Sequence, residues 1–555
     1  MISARLRHIV ALFGGALCLS AQHPVTISVD VSSSGGAWKP AWTFFGYDEP
    51  NYTYAKNGRK LLAELAAASR APVYIRAHNL LTSGNGIPAL KWGSTNAYTE
   101  RDGRPAYDWK ILDRIFDTFH QLKLKPLVEI GFMPEALSTH SQPYQHTFPN
   151  GPIWTGWAYP PKDYGLWADL VYRWVRHEVD RYGAPEVDTW YWEVWNEPDI
   201  GYWQGTPEEY YKLYDYTADA VKRALPTARI GGPHSTGPAS QKAGDFLRGF
   251  LNHVVNGRNF VTGKTGAPLD YIGFHAKGSP RMVDGHVQMG IRNQALNIDS
   301  GFRIVASFPE LRDKPVIIGE SDPEGCAACS ARANPQNGYR NGPLYASYEA
   351  AVYRYTRDLA ERHRVRLEGA VTWAFEFEDQ PMFEGFRELA TNGVDKPVLN
   401  VFRMLGRMGG EQAGAKSDGA VDLDTALSSG VRVKPDIDSM ATRKESSAAI
   451  LVWNYHDDDV DASASPVRVH ISGLSTAGPC TLRHYRIDGE HSNSYAVWKR
   501  MGSPRFPTPS QLKELSAAGQ LEMIESPRKV RVTAGTVDLQ FKLPRQAVSL
   551  LELAW

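Results

Sequence analysis

The sequence predicts an α/β fold, a (β/α)8 barrel, joined to a C-terminal β-sandwich. Two observations carry this expectation. From about residue 41 to 376, eight short β-rich runs alternate with longer stretches of helical periodicity. After about residue 410 the chain changes to short alternating strands separated by Gly, Asp, Ser and Pro. The length agrees, since 555 residues exceed what one ordinary core accommodates.

The elements follow in order. At the N-terminus, Arg5, Arg7 and His8 precede an apolar stretch from Ile9 to Leu19, and Ser20-Ala21-Gln22 offers small residues for cleavage. Residues 1–21 therefore read as a secretory signal, too short to span a membrane, and the protein is expected to be exported. No other segment is long and apolar enough for a membrane helix. "VTISVDVSS" at 25–33 is a lone strand. Such a strand is marginal by itself, so residues 22–37 are expected to join the C-terminal sheet. The barrel occupies 38–410, with strands in "WTFFGYD", "VYIRAHN", "KPLVEIGF", "TWYWEVWNE", "ARIGGP", "LDYIGFHA", "KPVIIGES" and "GAVTWAFEF". Between them lie amphipathic stretches such as "WKILDRIFDTFHQLKL", whose Ile111, Leu112, Ile115, Phe116 and Phe119 share one helical face. The sandwich, 411–555, is read from "AAILVWNYH", "PVRVHISGL", "CTLRHYRID", "KVRVTAGTVDLQFKL" and "AVSLLELAW".

Composition narrows the function. Basic and acidic side chains balance at 61 each, which gives no basic face for nucleic acid and no acidic tail. The 16 Trp and 26 Tyr suit stacking against the flat C–H faces of sugar rings, although large cores use such residues too. Cys326 and Cys329 form a single C-x-x-C with no second pair, so a zinc site lacks ligands and no metal is expected. A local disulfide is the first reading of that pair and two free thiols the second.

Two carboxylates carry the chemistry. Glu197 ends the aromatic fourth run, "TWYWEVWNEPDIGYW", and Pro198 follows it. A residue before proline is expected in extended backbone, which would hold Glu197 at the barrel mouth. Its aromatic neighbours are expected to raise its pKa, as a general acid requires. Asn196 can hydrogen-bond a substrate hydroxyl. Taken alone, "NEP" is equally a glutamate satisfying loop amides. Glu320 decides between the readings, because it ends the nearly all-apolar seventh run, "KPVIIGESDPEG". Glutamates after strands four and seven face one another across a barrel mouth, where active residues gather. A pair of that kind serves glycoside hydrolysis, one protonating the leaving oxygen and the other attacking the anomeric carbon. Two glutamates and water suffice, so no cofactor is expected. A barrel that only binds sugar would lack one of the pair.

With these motifs the chain resembles glycoside hydrolase family 39 over nearly its whole mature length. The resemblance rests on "GYDEPNYTY", "RAHNLLTSGNG", "KWGSTNAY", "EIGFMPEALS", "WNEP", "GFHAKG", "GESDPEGCAAC" and "YRIDGEHSNSYAVWKRMGSP". It implies a retaining β-xylosidase acting at non-reducing ends, with Glu197 as acid/base and Glu320 as nucleophile. It further implies His78 as a lining of the sugar subsite and Trp373 as a platform beneath the sugar. His275 would touch substrate or orient a glutamate, and Asp48 and Glu49 would reach hydroxyls or form an acidic rim. The family also contains α-L-iduronidases, and "H-x-K-G" resembles their lysine segment. Lys277 would then bind a substrate carboxylate, with Asp379 and Arg387 as partner groups. In a xylosidase Lys277 would instead pair with a neighbouring acid. Glu129 and Glu193 fall on faces that the sequence alone does not assign.

Overall fold

The computed structural model describes residues 23–87, 93–146, 153–154, 156–374, 378–476 and 478–555. The signal expected at 1–21 and the end of the eighth run, 375–377, lie outside the described residues. Eight parallel strands close into a barrel in chain order. They are Phe44–Tyr47, Tyr74–Ala77, Lys125–Ile130, Tyr191–Val194, Arg229–Ser235, Tyr271–Lys277, Pro315–Asp322 and Arg366–Trp373, one for each β-rich run in the sequence. The amphipathic stretches form the outer helices, among them Lys110–Gln121, Pro207–Ala224 and Pro343–His363. Pro207–Ala224 begins at a capping box in which Thr206 and Glu209 satisfy each other's backbone amides.

Strand alternation stacks the barrel interior in layers, because residues two apart share a face. The floor is aromatic. Ring centroids lie 4.5 Å apart for Phe44 and Tyr74, 5.2 Å for Tyr74 and Tyr191, and 5.1 Å for Tyr191 and Tyr271. Two residues further along the same strands come Gly46, Arg76, Glu193 and Gly273, with Glu129 in register beside Glu193. Two further again come Asp48, His78 and His275, at the mouth. Trp190 and Trp192 take the opposite face and pack outward, Trp190 against Phe116 at 5.4 Å and Trp192 against Trp174 at 5.8 Å. Trp190 and Trp192 thus bind the barrel to its helices and do not wall the mouth.

The C-terminal domain is one mostly antiparallel sheet of ten strands, curled so that its halves face each other. Its strand Glu411–Ser417 serves both halves, pairing through Glu411–Ala413 with Asp436–Lys444 and through Gly414–Ser417 with Val25–Asp30. Val25–Asp30 also runs parallel to Ser465–Ser472. Ile27 and Val29 are buried in the domain's core with Ile450, Val452, Val469 and Leu551. The strand nearest the N-terminus thereby completes the sheet at the far end of the chain. Ile27→Ala should lower stability by about 2–5 kcal/mol through the cavity it leaves. Thermal and denaturant unfolding will check this; an unchanged midpoint would contradict the strand's place in the core.

Candidate active site

The backbone around Glu197 departs from the sequence expectation. It is not extended: Glu197 has φ 45° and Trp195 has φ 71°, both left-handed. Proline excludes the right-handed helical region for the residue before it, which leaves more than extended geometry open. Tertiary contact makes the choice, since the turned-back chain lets the Glu197 N–H donate to the carbonyl of His234 on strand five (3.0 Å). The turn also sends the Trp195 ring away from the mouth, to pack 5.0 Å from Phe132 and 5.2 Å from Trp203.

The Glu197 side chain shares a 2.9 Å hydrogen bond with Nδ1 of His275, near the end of strand six. His275 Nδ1 lies 3.7 Å from Glu320 Oε1. One donor atom from each of Glu197, His275 and Glu320 lies within 4.8 Å of the others. That trio has the composition of a cation site, but the positive charge beside Glu320 is already supplied by the protein. Lys277 Nζ reaches Glu320 Oε2 at 2.5 Å, Arg76 Nη1 donates to Oε1 at 3.0 Å, and His78 Nε2 lies 3.5 Å from the same oxygen.

These surroundings split the two acids. Burial, and then the charge of Glu320, pushes the Glu197 carboxyl up to about 7. Burial would raise Glu320 as well, but the groups facing it, the Lys277 ammonium foremost among them, together outweigh burial and hold Glu320 well below the usual carboxylate range. The cause of the Glu197 shift is therefore its enclosed position opposite a second carboxylate and not its aromatic neighbours in sequence. Burial draws His275 down to about 3, so it faces Glu197 as neutral imidazole. His78 is buried too, yet the charge of Glu129, with Asp48 and Glu320, draws its pKa up to about 10, while its Nε2 meets Arg76 Nη1 at 2.7 Å. Its Nδ1 lies 3.1 Å from Asp48 Oδ1.

Sequence reasoning did not find Arg76. It is fully buried, and it donates twice to Glu193 (2.8 and 2.5 Å), once to Glu320, and once to Asn196 Oδ1 (3.0 Å). Asn196 is thus tied to the barrel interior beside Glu197. Arg76 was visible as a lone cation in an apolar strand, two residues before His78 and so on the same face. Glu193 and Glu129 were equally visible, but only barrel closure shows that they point inward to meet it.

Lys277 pairs with Glu320 and also with Asp322 (2.7 Å). Arg387 is buried against Asp322 (3.6 Å) and Glu324 (3.0 Å), whereas Asp379 is exposed. Glu324 continues the chain of charge to the buried Arg340, which donates to the carbonyls of Cys326 (2.7 Å) and Cys329 (2.8 Å). Cys326 and Cys329 are joined by a disulfide. Trp373 is only 1% exposed. Its ring lies 4.9 Å from His78 and beneath Arg76 and Lys277, over Gly46, where an added Cβ would come within 2.6 Å of it. It therefore supports the charged groups and offers no open platform. Glu49 caps the short helix Pro50–Tyr54, accepting from the Asn51 N–H (3.0 Å).

Comparison with known proteins agrees with this geometry. A β-xylosidase of Geobacillus stearothermophilus is 28% identical over 491 residues, covering 86% of this chain and 86% of its own. The α-L-iduronidase of Mus musculus is 24% identical over 474 residues, covering 80% of this chain and 68% of its own. The solved structure of a monomeric β-xylosidase from Caulobacter crescentus CB15 shares the fold, with a TM-score of 0.73 at 24% identity over 95% of this chain and 99% of that one. The family described as Glycosyl hydrolases family 39 matches residues 25–537, which takes in the barrel and most of the sheet domain. The chain belongs to glycosyl hydrolase family 39 and is a glycoside hydrolase.

Proposed function

We propose that this glycosidase is a retaining exo-β-xylosidase that releases xylose from the non-reducing ends of xylo-oligosaccharides. The observation that carries the retaining mechanism is the close approach of two unlike carboxyls, with oxygens within 4.8 Å. Retaining enzymes hold the pair about 5–5.5 Å apart, whereas an intervening water needs about 6.5–9.5 Å. Glu320, kept ionised, attacks the anomeric carbon as Glu197 gives its proton to the departing oxygen. The resulting ester is opened by a water whose proton returns to Glu197. Esterification removes the Glu320 charge that helped raise Glu197, so Glu197 becomes the stronger acid when it must act as a base. The 1–21 leader would carry such an enzyme out of the cytoplasm, where xylan is met.

Two observations favour xylose as the glycone. The curated relative of highest identity given above is a β-xylosidase. Lys277 is occupied by Glu320 and Asp322, as a xylosidase requires of a lysine with no substrate carboxylate to meet. An α-L-iduronidase is the second reading, supported by the iduronidase relatives and by the position of Lys277 beside the nucleophile.

The two glutamates should fail differently. Glu320→Ala should abolish turnover on every substrate. Glu197→Ala should cost roughly 10²–10⁴-fold on glycosides with poor leaving groups but spare glycosylation by nitrophenyl glycosides. Azide should then rescue the variant as a glycosyl azide; equal losses on both substrate types without rescue would contradict the roles.

The pH profile has a definite sign. Glu197 must be protonated for the first step, and its raised pKa means the acid form is present below about 7 and lost above it. Wild-type kcat/KM on an alkyl xyloside should therefore fall as pH rises through about 7, while a dinitrophenyl xyloside should not show that limb. A limb common to both substrates counts against Glu197 as the acid.

Lys277→Met separates the substrates. It strips Glu320 of its largest stabilising charge, so xyloside turnover should drop about ten- to hundred-fold, the worth of a charge-assisted contact. Wild-type protein should hydrolyse nitrophenyl β-xyloside and leave an α-L-iduronide intact. The reverse ranking, with a steep KM increase for the iduronide in Lys277→Met, would move the assignment to the second reading.

A further inference from the structure

The leaving group departs from the side of the mouth that carries the acid, and that side is built from aromatics the mechanism above does not use. Glu197 stands just beyond strand four, and the chain then turns tightly, with the Ile200 N–H donating to the Glu197 carbonyl (3.2 Å). The turn is tied back at Tyr202, whose carbonyl accepts from Trp195 Nε1 (2.8 Å). The Tyr202 ring lies 5.6 Å from Phe132, just beyond strand three, and 5.7 Å edge-on from Tyr144 in the loop that follows. Tyr144 is fixed by its backbone, its N–H donating to the Gly156 carbonyl (3.1 Å). Gly201 passes so close to it that an added Cβ would come within 2.6 Å of the Tyr144 hydroxyl. Phe132 is buried, whereas Tyr144 and Tyr202 are partly exposed, and Ile200 is 36% exposed. The Tyr202 phenol is turned toward the reacting groups: burial, and then the charges of Glu197, Asp48 and Glu320, push it up.

The opposite side differs in kind. Around Glu320 stand Lys277, Arg76 and His78, and the Trp373 ring is covered by them. Polar groups of that sort fix the hydroxyls of the sugar being held. Flat rings that are partly exposed, with an apolar face and a polar edge, suit the C–H face of the sugar being released.

We propose that Tyr202, with Tyr144 set edge-on beside it, forms the leaving-group subsite, a platform for the pyranose ring whose oxygen receives the Glu197 proton. The proposal rests on the reading of Glu197 as the acid given above. The bond that breaks joins the anomeric carbon, at Glu320, to an oxygen within hydrogen-bond reach of Glu197. The ring bearing that oxygen therefore lies on the Glu197 side, and Tyr202 is the first aromatic residue along the chain beyond Glu197. The leaving oxygen takes the electron pair of the broken bond and the Glu197 proton, and departs as a hydroxyl of the shortened sugar. In reverse the same platform seats an acceptor. An acceptor hydroxyl gives its proton to Glu197, its oxygen bonds the anomeric carbon, and the electron pair of the ester bond returns to Glu320.

The test compares leaving groups with and without a ring. Tyr202→Ala should lower kcat/KM on a disaccharide about tenfold more than on the corresponding glycosyl fluoride, which offers no ring to stack. Tyr202→Phe should keep most of the preference for the disaccharide, because the ring makes the contact, and Tyr144→Ala should show a smaller part of the loss. Equal losses on the two substrates in Tyr202→Ala, or a Phe variant as impaired as the Ala variant, overturn the proposal. A second measurement reads the acceptor directly. Wild-type protein trapped as its fluoroglycosyl intermediate should be reactivated faster by an added pyranoside than by water alone, with saturation, and Tyr202→Ala should lose that acceleration. No acceleration in wild type, or its survival in the variant, overturns the proposal. The substrates carry whichever glycone wild-type protein cleaves, xyloside or iduronide, and Glu197 is tested separately by azide rescue. Failure of the glycone assignment or of the acid is thus distinguishable from failure of the subsite.

Discussion

The guanidinium of Arg76 is enclosed at the centre of the barrel, and the placement of the proposed catalytic groups depends on it. A buried cation is costly unless its hydrogen bonds are satisfied by acceptors of opposite charge. Arg76 meets that demand with Glu193 below, Glu320 across the barrel and the Asn196 amide beside Glu197. Each of these residues comes from a different strand or loop, so a single planar donor fixes their relative positions. The fork geometry of arginine suits the task, since a lysine ammonium would serve as a point charge without setting direction.

Around that centre, unequal sharing of charge does the chemical work. Glu320 faces Lys277, Arg76 and His78, while Glu197 faces a neutral His275. Two carboxylates in the same enclosed mouth are driven in opposite directions because the cations sit on one side. The 2.9 Å bond from Glu197 to an imidazole without charge orients the acid while leaving its proton free to move.

The charged network also reaches outward. From Lys277 it passes through Asp322, Arg387 and Glu324 to Arg340, which gathers the carbonyls of the disulfide loop. The loop after strand seven is therefore secured by hydrogen bonds to a buried cation as well as by a covalent link. The sheet domain is closed by a strand from the opposite end of the chain, so barrel and sheet are stitched together by topology as well as contact.

The sequence alone determined the architecture, because β-rich runs and helical patterns alternate along the barrel region, and each barrel strand overlaps one of those runs. It also singled out Glu197 and Glu320, since acids at the ends of apolar strands are conspicuous by composition, and the fold brings the two together. Long-range packing decided the rest. Strand alternation does not say which face is inside until the barrel closes, so Glu129 and Glu193 stayed unassigned and Arg76 went unnoticed. The rule for residues before proline described local sterics correctly, but the carbonyl of His234 selected left-handed backbone at Glu197. The tryptophans beside Glu197 suggested an apolar pocket by adjacency, yet Trp190 and Trp192 face the helices and the turn at Trp195 sends its ring to Phe132 and Trp203. Charge sharing among Arg76, Lys277 and their carboxylates arises between strands far apart in sequence, which is why only the tertiary structure shows what drives the two carboxyls apart in acidity.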